Sequence, residues 1–342
     1  MKGKQGMVCM GLLLVLSSCH TGKQITASGL QRKDFQTEVN GQHTDLFTLS
    51  NKQGMEVCIT NYGARVVSIL VPDRNGKRED VVCGFSTITE YMEQRQNFGS
   101  TVGRYIGRIL NARFTLDGVE YKLVPNNGKS GHISHGGNPG FADRIWKVEQ
   151  ADTHRACLSY LSPDGENGFP GNLKVTLVYS LGEDDNALDL TYEATTDAPT
   201  VLNLSHHSFF NISGNFTKSV EDQQLWVDAD RFTPYDDKKC VTGEYLPVAG
   251  TPLDFRMPHA IGECIDADHP QLKVVNGYDH TWELNTKGDD TRPAAWVYDP
   301  ASGRKMEIFT TEPGMQIYTG NGLKGKMTGK RGIAYPFRSA VC

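Results

Sequence analysis

The chain reads as an all-β protein, a single large antiparallel β-sandwich with very little helix. Apolar and polar residues alternate with a period of two in several stretches, which sends one face of a strand into a core and the other toward water. Turn-forming Asn-Gly, Asp-Gly and Pro-Gly pairs recur throughout, and 36 glycines in 342 residues is about half as many again as the usual ~7%. No apolar stripe at helical spacing runs beyond two turns, and no Pro/Ser-rich linker divides residues 35–342. Length alone allows roughly two domains of about 150 residues; the unbroken series of hairpins argues for one. Lys plus Arg number 35 against 40 Asp plus Glu, a net charge of −5, which speaks against a nucleic-acid partner. With 38% hydrophobic and 9% aromatic residues the chain can build a core, so global disorder is excluded.

The elements follow in order. Lys2 and Lys4 precede an apolar run, Met7 to Leu16, and then Leu16-Ser17-Ser18-Cys19. Ten apolar residues make about 15 Å of helix, half of a bilayer core and too short to span it. The Leu-Ser-Ser-Cys run resembles the lipobox of bacterial lipoproteins. That resemblance implies a signal peptide over residues 1–19, with Cys19 lipidated as the mature N-terminus. The alternative is an ordinary secretory signal with an incidental cysteine. No Asp follows Cys19, so the expected location is the periplasm, held to the outer membrane only through the lipid. Residues 20–34 are polar and read as a tether. The six further cysteines, Cys58, Cys83, Cys157, Cys240, Cys264 and Cys342, form no C-x-x-C pair and are expected as reduced, small apolar residues.

From Phe35 onward strands and turns alternate. Met55, Val57 and Ile59 interleave with Glu56, Cys58 and Thr60; Leu173, Val175, Leu177 and Tyr179 interleave with Lys174, Thr176 and Ser180; Leu188, Leu190 and Tyr192 interleave with Asp189, Thr191 and Glu193. Asp73-Arg74-Asn75-Gly76, Asp117-Gly118, Asn126-Asn127-Gly128 and Pro163-Asp164-Gly165 supply the positive-φ positions of tight turns. The one helix candidate lies near Thr87 to Gln94.

No G-x-S-x-G elbow, P-loop, H-E-x-x-H or dinucleotide fingerprint is present. His206-His207 and Asp268-His269 invite a metal reading, but neighbours on a strand face opposite ways, so His206 and His207 do not readily share an ion; no metal ligand is assigned. The informative stretches are polar residues within strand-like sequence: Gly103 to Ile109, His132 to Gly137, Asn203 to Ile212, Asn276 to His280, and Thr311 to Asn321. Each alone reads as a hydrogen-bonded turn or a satisfied core histidine. Together they offer Arg, His, Asp and Gln flanked by aromatic rings, a lining suited to a neutral polyhydroxylated ligand. Arg and Asp can hold vicinal hydroxyls bidentately, Gln both donates and accepts, and ring faces cover C–H surface.

These stretches resemble the aldose 1-epimerase, or mutarotase, family over about Phe35 to Cys342. Gly103 to Ile109 meets G-R-x-x-N-R-I with Gly107 where Asn is usual, and Ser134-His135-Gly136-Gly137 meets L-H-G-G. Asn203 to Ile212 meets N-x-T-N-H-x-Y-F-N-L with Ser205, His206 and Phe209 as departures. Gly168-Phe169-Pro170-Gly171, Leu253-Asp254-Phe255-Arg256, Gly277-Tyr278-Asp279-His280 and Gln316 to Asn321 match as well. The resemblance implies a single large β-sandwich and an isomerase that interconverts the α and β anomers of galactose- or glucose-type sugars. It implies His207 as the general acid at the ring oxygen, and Arg108, His135, Asp279 and Gln316 as sugar-binding residues, with Gly107 and Phe209 lining the same pocket. No cofactor is required; some relatives carry calcium, whose ligands the sequence does not identify. The expected partner is a small aldose bound by a monomer.

One departure remains. The family base is a Glu in a Cys-Leu-Glu-x-Gln segment after a Tyr-Pro turn, and here that position falls two residues beyond Cys342. The expectation is a sandwich lacking its C-terminal end through a truncated gene model, and a weak or inactive catalyst as written, since a positioned acid–base group is worth about 10²–10⁴-fold. The alternatives are a non-catalytic sugar-binding paralogue and a glycoside hydrolase; the latter needs two facing carboxylates, and only Asp279 is placed as one.

Overall fold

The computed structural model describes residues 24–342. The expected signal peptide, Cys19 and the first residues of the tether lie outside them. The strands Leu46–Ser50, Glu56–Thr60, Arg65–Pro72 and Arg78–Asp80 form one antiparallel meander. Lys147–Ala151, Arg155–Ser162, Leu173–Leu181 and Leu188–Thr196 form a second. Leu49, Val57, Ile59 and Val66 of the first pack with Leu158, Val175, Leu177 and Tyr179 of the second in one core. Alternation is the cause: along Leu173–Leu181 every second residue is buried.

Two further four-stranded sheets face each other. In one, Gln224–Val227 lies between His259–Ala260 and Ala295–Tyr298, with Lys305–Ile308 at the edge. In the other, Leu246–Pro247, Arg231–Thr233, Asp279–Glu283 and Gly314–Tyr318 follow in that order. Their shared core includes Leu225, Val227, Phe232, Trp282, Val297 and Ile317. An aromatic cluster of Phe35, Phe85, Tyr91, Phe98, Phe209 and Tyr335 joins the first sheet to the C-terminal residues. The β-rich sandwich expected from the sequence is the architecture observed.

Several local expectations change. Residues 24–34, expected as part of a polar tether, belong to the folded body. Thr26, Ser28, Leu30 and Phe35 are buried, and the backbone N–H of Ala27 donates to Glu56 Oε1 at 2.7 Å. This segment covers the outer face of Glu56–Thr60, so that strand is buried on both faces instead of turning Glu56, Cys58 and Thr60 to water. Leu188–Thr196 is an edge strand, and its apolar residues are only partly covered. The expected helix spans Ile88–Gln94 behind a Thr87–Glu90 capping box. A second helix, Pro270–Val275, escaped notice because six residues carry little periodicity; His269 caps it, its Nδ1 accepting from Gln271 N at 3.3 Å. Asp117-Gly118 makes the expected two-residue hairpin turn, both residues at positive φ, between Arg113–Leu116 and Val119–Lys122. The six cysteines beyond Cys19 are all free thiols.

Candidate active site

Arg108 opens the strand Arg108–Ile109, which pairs with Ile133–Ser134 so that Arg108 lies opposite Ser134. The next residue, His135, turns through positive φ, with its N–H donating to Gly107 O at 2.9 Å and its Nδ1 accepting from Gly107 N at 3.4 Å. Gly107 therefore grips the histidine through its backbone. Glycine is required after it: a Cβ on Gly136 would lie 1.8 Å from Gly103 O. His207 ends the strand Ser205–His207, paired with Ser100–Val102. Its ring stacks on Phe209 at 5.1 Å and meets the His135 ring edge-on at 5.5 Å. His206 faces the other way, toward Tyr179 at 6.0 Å.

The opposite wall comes from Asp279–Glu283 and Gly314–Tyr318, where Thr281 lies across from Gln316 and Asp279 from Tyr318. Gln316 Nε2 donates to Asp279 Oδ1 at 2.7 Å and to the Tyr235 hydroxyl at 3.2 Å, while Thr281 donates to its Oε1. The Arg108 guanidinium lies 6.0 Å from the centre of the Tyr235 ring and donates to Lys239 O at 2.9 Å. Phe209 meets Tyr318 edge-on at 5.8 Å, and the Cys342 sulfur lies 3.1 Å from His207 Nδ1. These contacts bring Arg108, His135, His207, Phe209, Asp279 and Gln316 into one cluster.

Burial sets the electrostatics. It pushes His135 down to about 3, helped by neighbouring His207 and Arg108. It pushes His207 down to about 4, so both rings are neutral near pH 7. Burial raises Asp279 above the usual carboxylate range, against the pull of Gln316 and Arg108. The cluster therefore offers neutral ring N–H groups, one guanidinium, one carboxylate, an amide and a phenol, with aromatic faces between them. That set can hold several hydroxyls and exchange a proton. Among the described residues, no group of three or more His, Cys, Asp or Glu gathers as an ion site. The calcium the resemblance allowed has no donor set of that kind here.

Sequence reasoning missed two members. Tyr235 follows Pro234 in a polar turn, where an aromatic is too common to mark a site. Cys342 reads in the sequence only as a small apolar thiol. Its position comes from pairing, since its N–H and C=O bond Tyr318 O and N at 2.7 and 2.8 Å.

The sequence profile of the aldose 1-epimerase family matches residues 45–340. The chain is 39% identical over 296 residues to the galactose mutarotase of Sus scrofa, covering 86% of this chain and 83% of that one. It is 36% identical over 286 residues to the aldose 1-epimerase of Escherichia coli K12, covering 84% and 81%. Its fold is similar to the crystal structure of a GalM/aldose epimerase homologue from C. elegans (TM-score 0.79, 30% identity, 87% and 88% covered). It is similar also to galactose 1-epimerase from Lactobacillus acidophilus (TM-score 0.78, 28% identity, 89% and 86% covered).

Proposed function

The chain belongs to the aldose 1-epimerase family, and we propose that the cluster around His207 is where it interconverts the α and β anomers of a galactose- or glucose-type aldose. The observation that carries this is the convergence of Arg108, His135, His207, Asp279 and Gln316 from five separate stretches of chain. In this reading Arg108 and His135 orient the pyranose, Asp279, Gln316 and Tyr235 hold its hydroxyls, and Phe209 backs His207 while closing the pocket floor. Gly107 acts through His135.

The neutral His207 imidazole donates a hydrogen bond to the ring oxygen. A base takes the proton of the C1 hydroxyl, the bond between C1 and the ring oxygen breaks, and C1 becomes a carbonyl. The oxygen set free is an alkoxide basic enough to take the imidazole proton. Rotation about C1–C2 and reclosure from the other face return both protons and give the other anomer, with no redox change and no cofactor. Among the described residues Asp279 stands on the hydroxyl-binding wall, bonded to Gln316, so the base is left unassigned; calcium is assigned no residue.

Polarimetry on freshly dissolved α-glucose and α-galactose tests the reading. The protein should speed the relaxation of optical rotation, and His207→Ala should slow it by about 10²–10⁴-fold while calorimetry still detects sugar binding. Binding with no acceleration by the unsubstituted protein would instead identify a sugar-binding paralogue. The proposal extends to a monomer exported and lipid-anchored through Cys19, on the strength of residues 1–19. Mass spectrometry of the membrane fraction should then find a diacylglyceryl-modified Cys19 as the first residue; a mature chain beginning elsewhere and lacking lipid refutes the anchor.

A further inference from the structure

We propose that Cys342 is a positioning residue for His207: its thiol donates to Nδ1 and holds the imidazole in the tautomer that carries its proton on Nε2, the nitrogen left to face the sugar. The inference rests on the reading of His207 as the donor to the ring oxygen.

The Cys342 sulfur lies 3.1 Å from His207 Nδ1, within hydrogen-bond reach of a thiol. Neither partner is placed by chance. The backbone of Cys342 is clipped to Tyr318 by a reciprocal pair of bonds of 2.7 and 2.8 Å, and that of Val341 to Phe210 by a pair of 2.6 and 2.8 Å. His207 is fixed by its strand pairing and by the stack on Phe209. A neutral imidazole has one donor nitrogen and one acceptor, and the bond at one settles the other. A thiol sulfur is a poor acceptor, whereas the imidazole lone pair is a good one. Burial and the charge of Asp279 push the Cys342 thiol far above its ordinary range, so it keeps its proton to donate. Burial keeps His207 neutral. A hydrogen bond with its own backbone favours protonation of His207 without overcoming burial, and Arg65 opposes it; His135 beside it is neutral as well. The bond therefore runs from S–H to Nδ1 and leaves the proton on Nε2. The opposite tautomer would present a lone pair to the ring oxygen and could donate nothing there.

The test is nitrogen-15 NMR of the histidine-labelled protein at pH 7, with the His207 signals identified by their loss in His207→Gln. Two-bond proton–nitrogen correlations distinguish the two neutral tautomers. The unsubstituted protein should show His207 protonated on Nε2. Cys342→Ala should give a mixture, and Cys342→Ser, which retains a donor, should restore the Nε2-protonated form. Unmoved His280 and His206 signals report that each variant is folded. An Nδ1-protonated His207 in the unsubstituted protein, an alanine variant indistinguishable from it, or a folded serine variant that behaves like alanine each overturns the proposal. In polarimetry, kcat of Cys342→Ala should fall about tenfold, the equivalent of one hydrogen bond, with KM little changed. The tautomer readout needs no turnover, so a protein with the expected tautomers and no mutarotation counts against the function and leaves the thiol contact standing.

Discussion

Arg104 and Arg108 stand four residues apart and meet opposite fates. Arg104 is 1% exposed, and its guanidinium donates to the carbonyls of Ser162, Pro163, Pro170 and Gly171 and to the hydroxyls of Ser162 and Thr200. It knots the 162–171 segment to the connection between Ser100–Val102 and Arg108–Ile109. Removing it leaves several buried carbonyls without donors, so Arg104→Ala should cost about 3–5 kcal/mol, read from urea unfolding curves. Arg108 is half-buried in the cluster and makes one backbone bond. Arg108→Ala should change stability by less than about 1 kcal/mol and show itself in polarimetry as a raised KM. Equal unfolding midpoints for the two variants would reject this division. The resemblance singles out Arg108 as sugar-binding and is silent on Arg104, whose structural role is not legible because its partners are carbonyls 58 to 67 residues away. The histidines were legible for a different reason. Polar residues inside strand-like sequence carry a burial cost that chemistry or hydrogen bonding must offset. Tyr235 gave no such contrast, since an aromatic beside a turn is common.

At the scale of elements, the strands were legible wherever one face meets a core and the other meets water, as along Leu173–Leu181. The pattern failed where a further layer lies outside the sheet. Residues 24–35 look solvent-bound because Thr26 and Ser28 are polar, yet these hydroxyls bond each other at 2.9 Å in the interior. Ser28 N–H, like that of Ala27, points to Glu56 Oε1. The segment hides its polarity by pairing it with a buried carboxylate, which composition does not reveal. Two apolar anchors, Leu30 and Phe35, fasten it to the aromatic cluster. Phe35 is fully buried, so Phe35→Ala should cost about 3–5 kcal/mol. Glu56→Ala should cost about 1–3 kcal/mol by stranding the buried N–H of Ser28 and the partly covered one of Ala27. A chain starting at Gln36 should melt below the full one by more than either variant. A calorimetric melting temperature unchanged by that deletion would return residues 24–35 to the role of a tether.

Across the whole molecule, the site lies where separate layers meet. His207 comes from the short ladder of Ser205–His207 with Ser100–Val102, Asp279 and Gln316 from the second pair of sheets, Arg108 from the strand Arg108–Ile109, and His135 from the turn after Ile133–Ser134. This junction traps imidazoles away from water, and the cost depends on pH. Burial lowers His135 and His206 to about 3 and His207 and His280 to about 4. Above an unfolded value of about 6.5 these rings are neutral in both states and cost nothing. Below it the unfolded chain takes up protons that the folded one refuses, so stability falls as pH drops toward the folded values. His280 is the cleanest case, being 0% exposed, with burial as the main cause and His269 adding to it. At pH 5 it should cost about 2 kcal/mol, and the other three, partly exposed, less apiece. Asp279 works in the opposite sense: its raised value relieves the folded state as pH falls through the carboxylate range. The carboxylates that the fold stabilises, such as Asp254 and Asp266, begin to lose their contribution only near their unfolded value of about 3.8. Between pH 7 and pH 5 the histidines therefore dominate. The urea midpoint should drop across that interval, and His280→Gln, though less stable at pH 7, should drop by less. Equal midpoints at pH 7 and pH 5, or a His280→Gln variant with the same pH slope as the unsubstituted protein, would show that water reaches these rings.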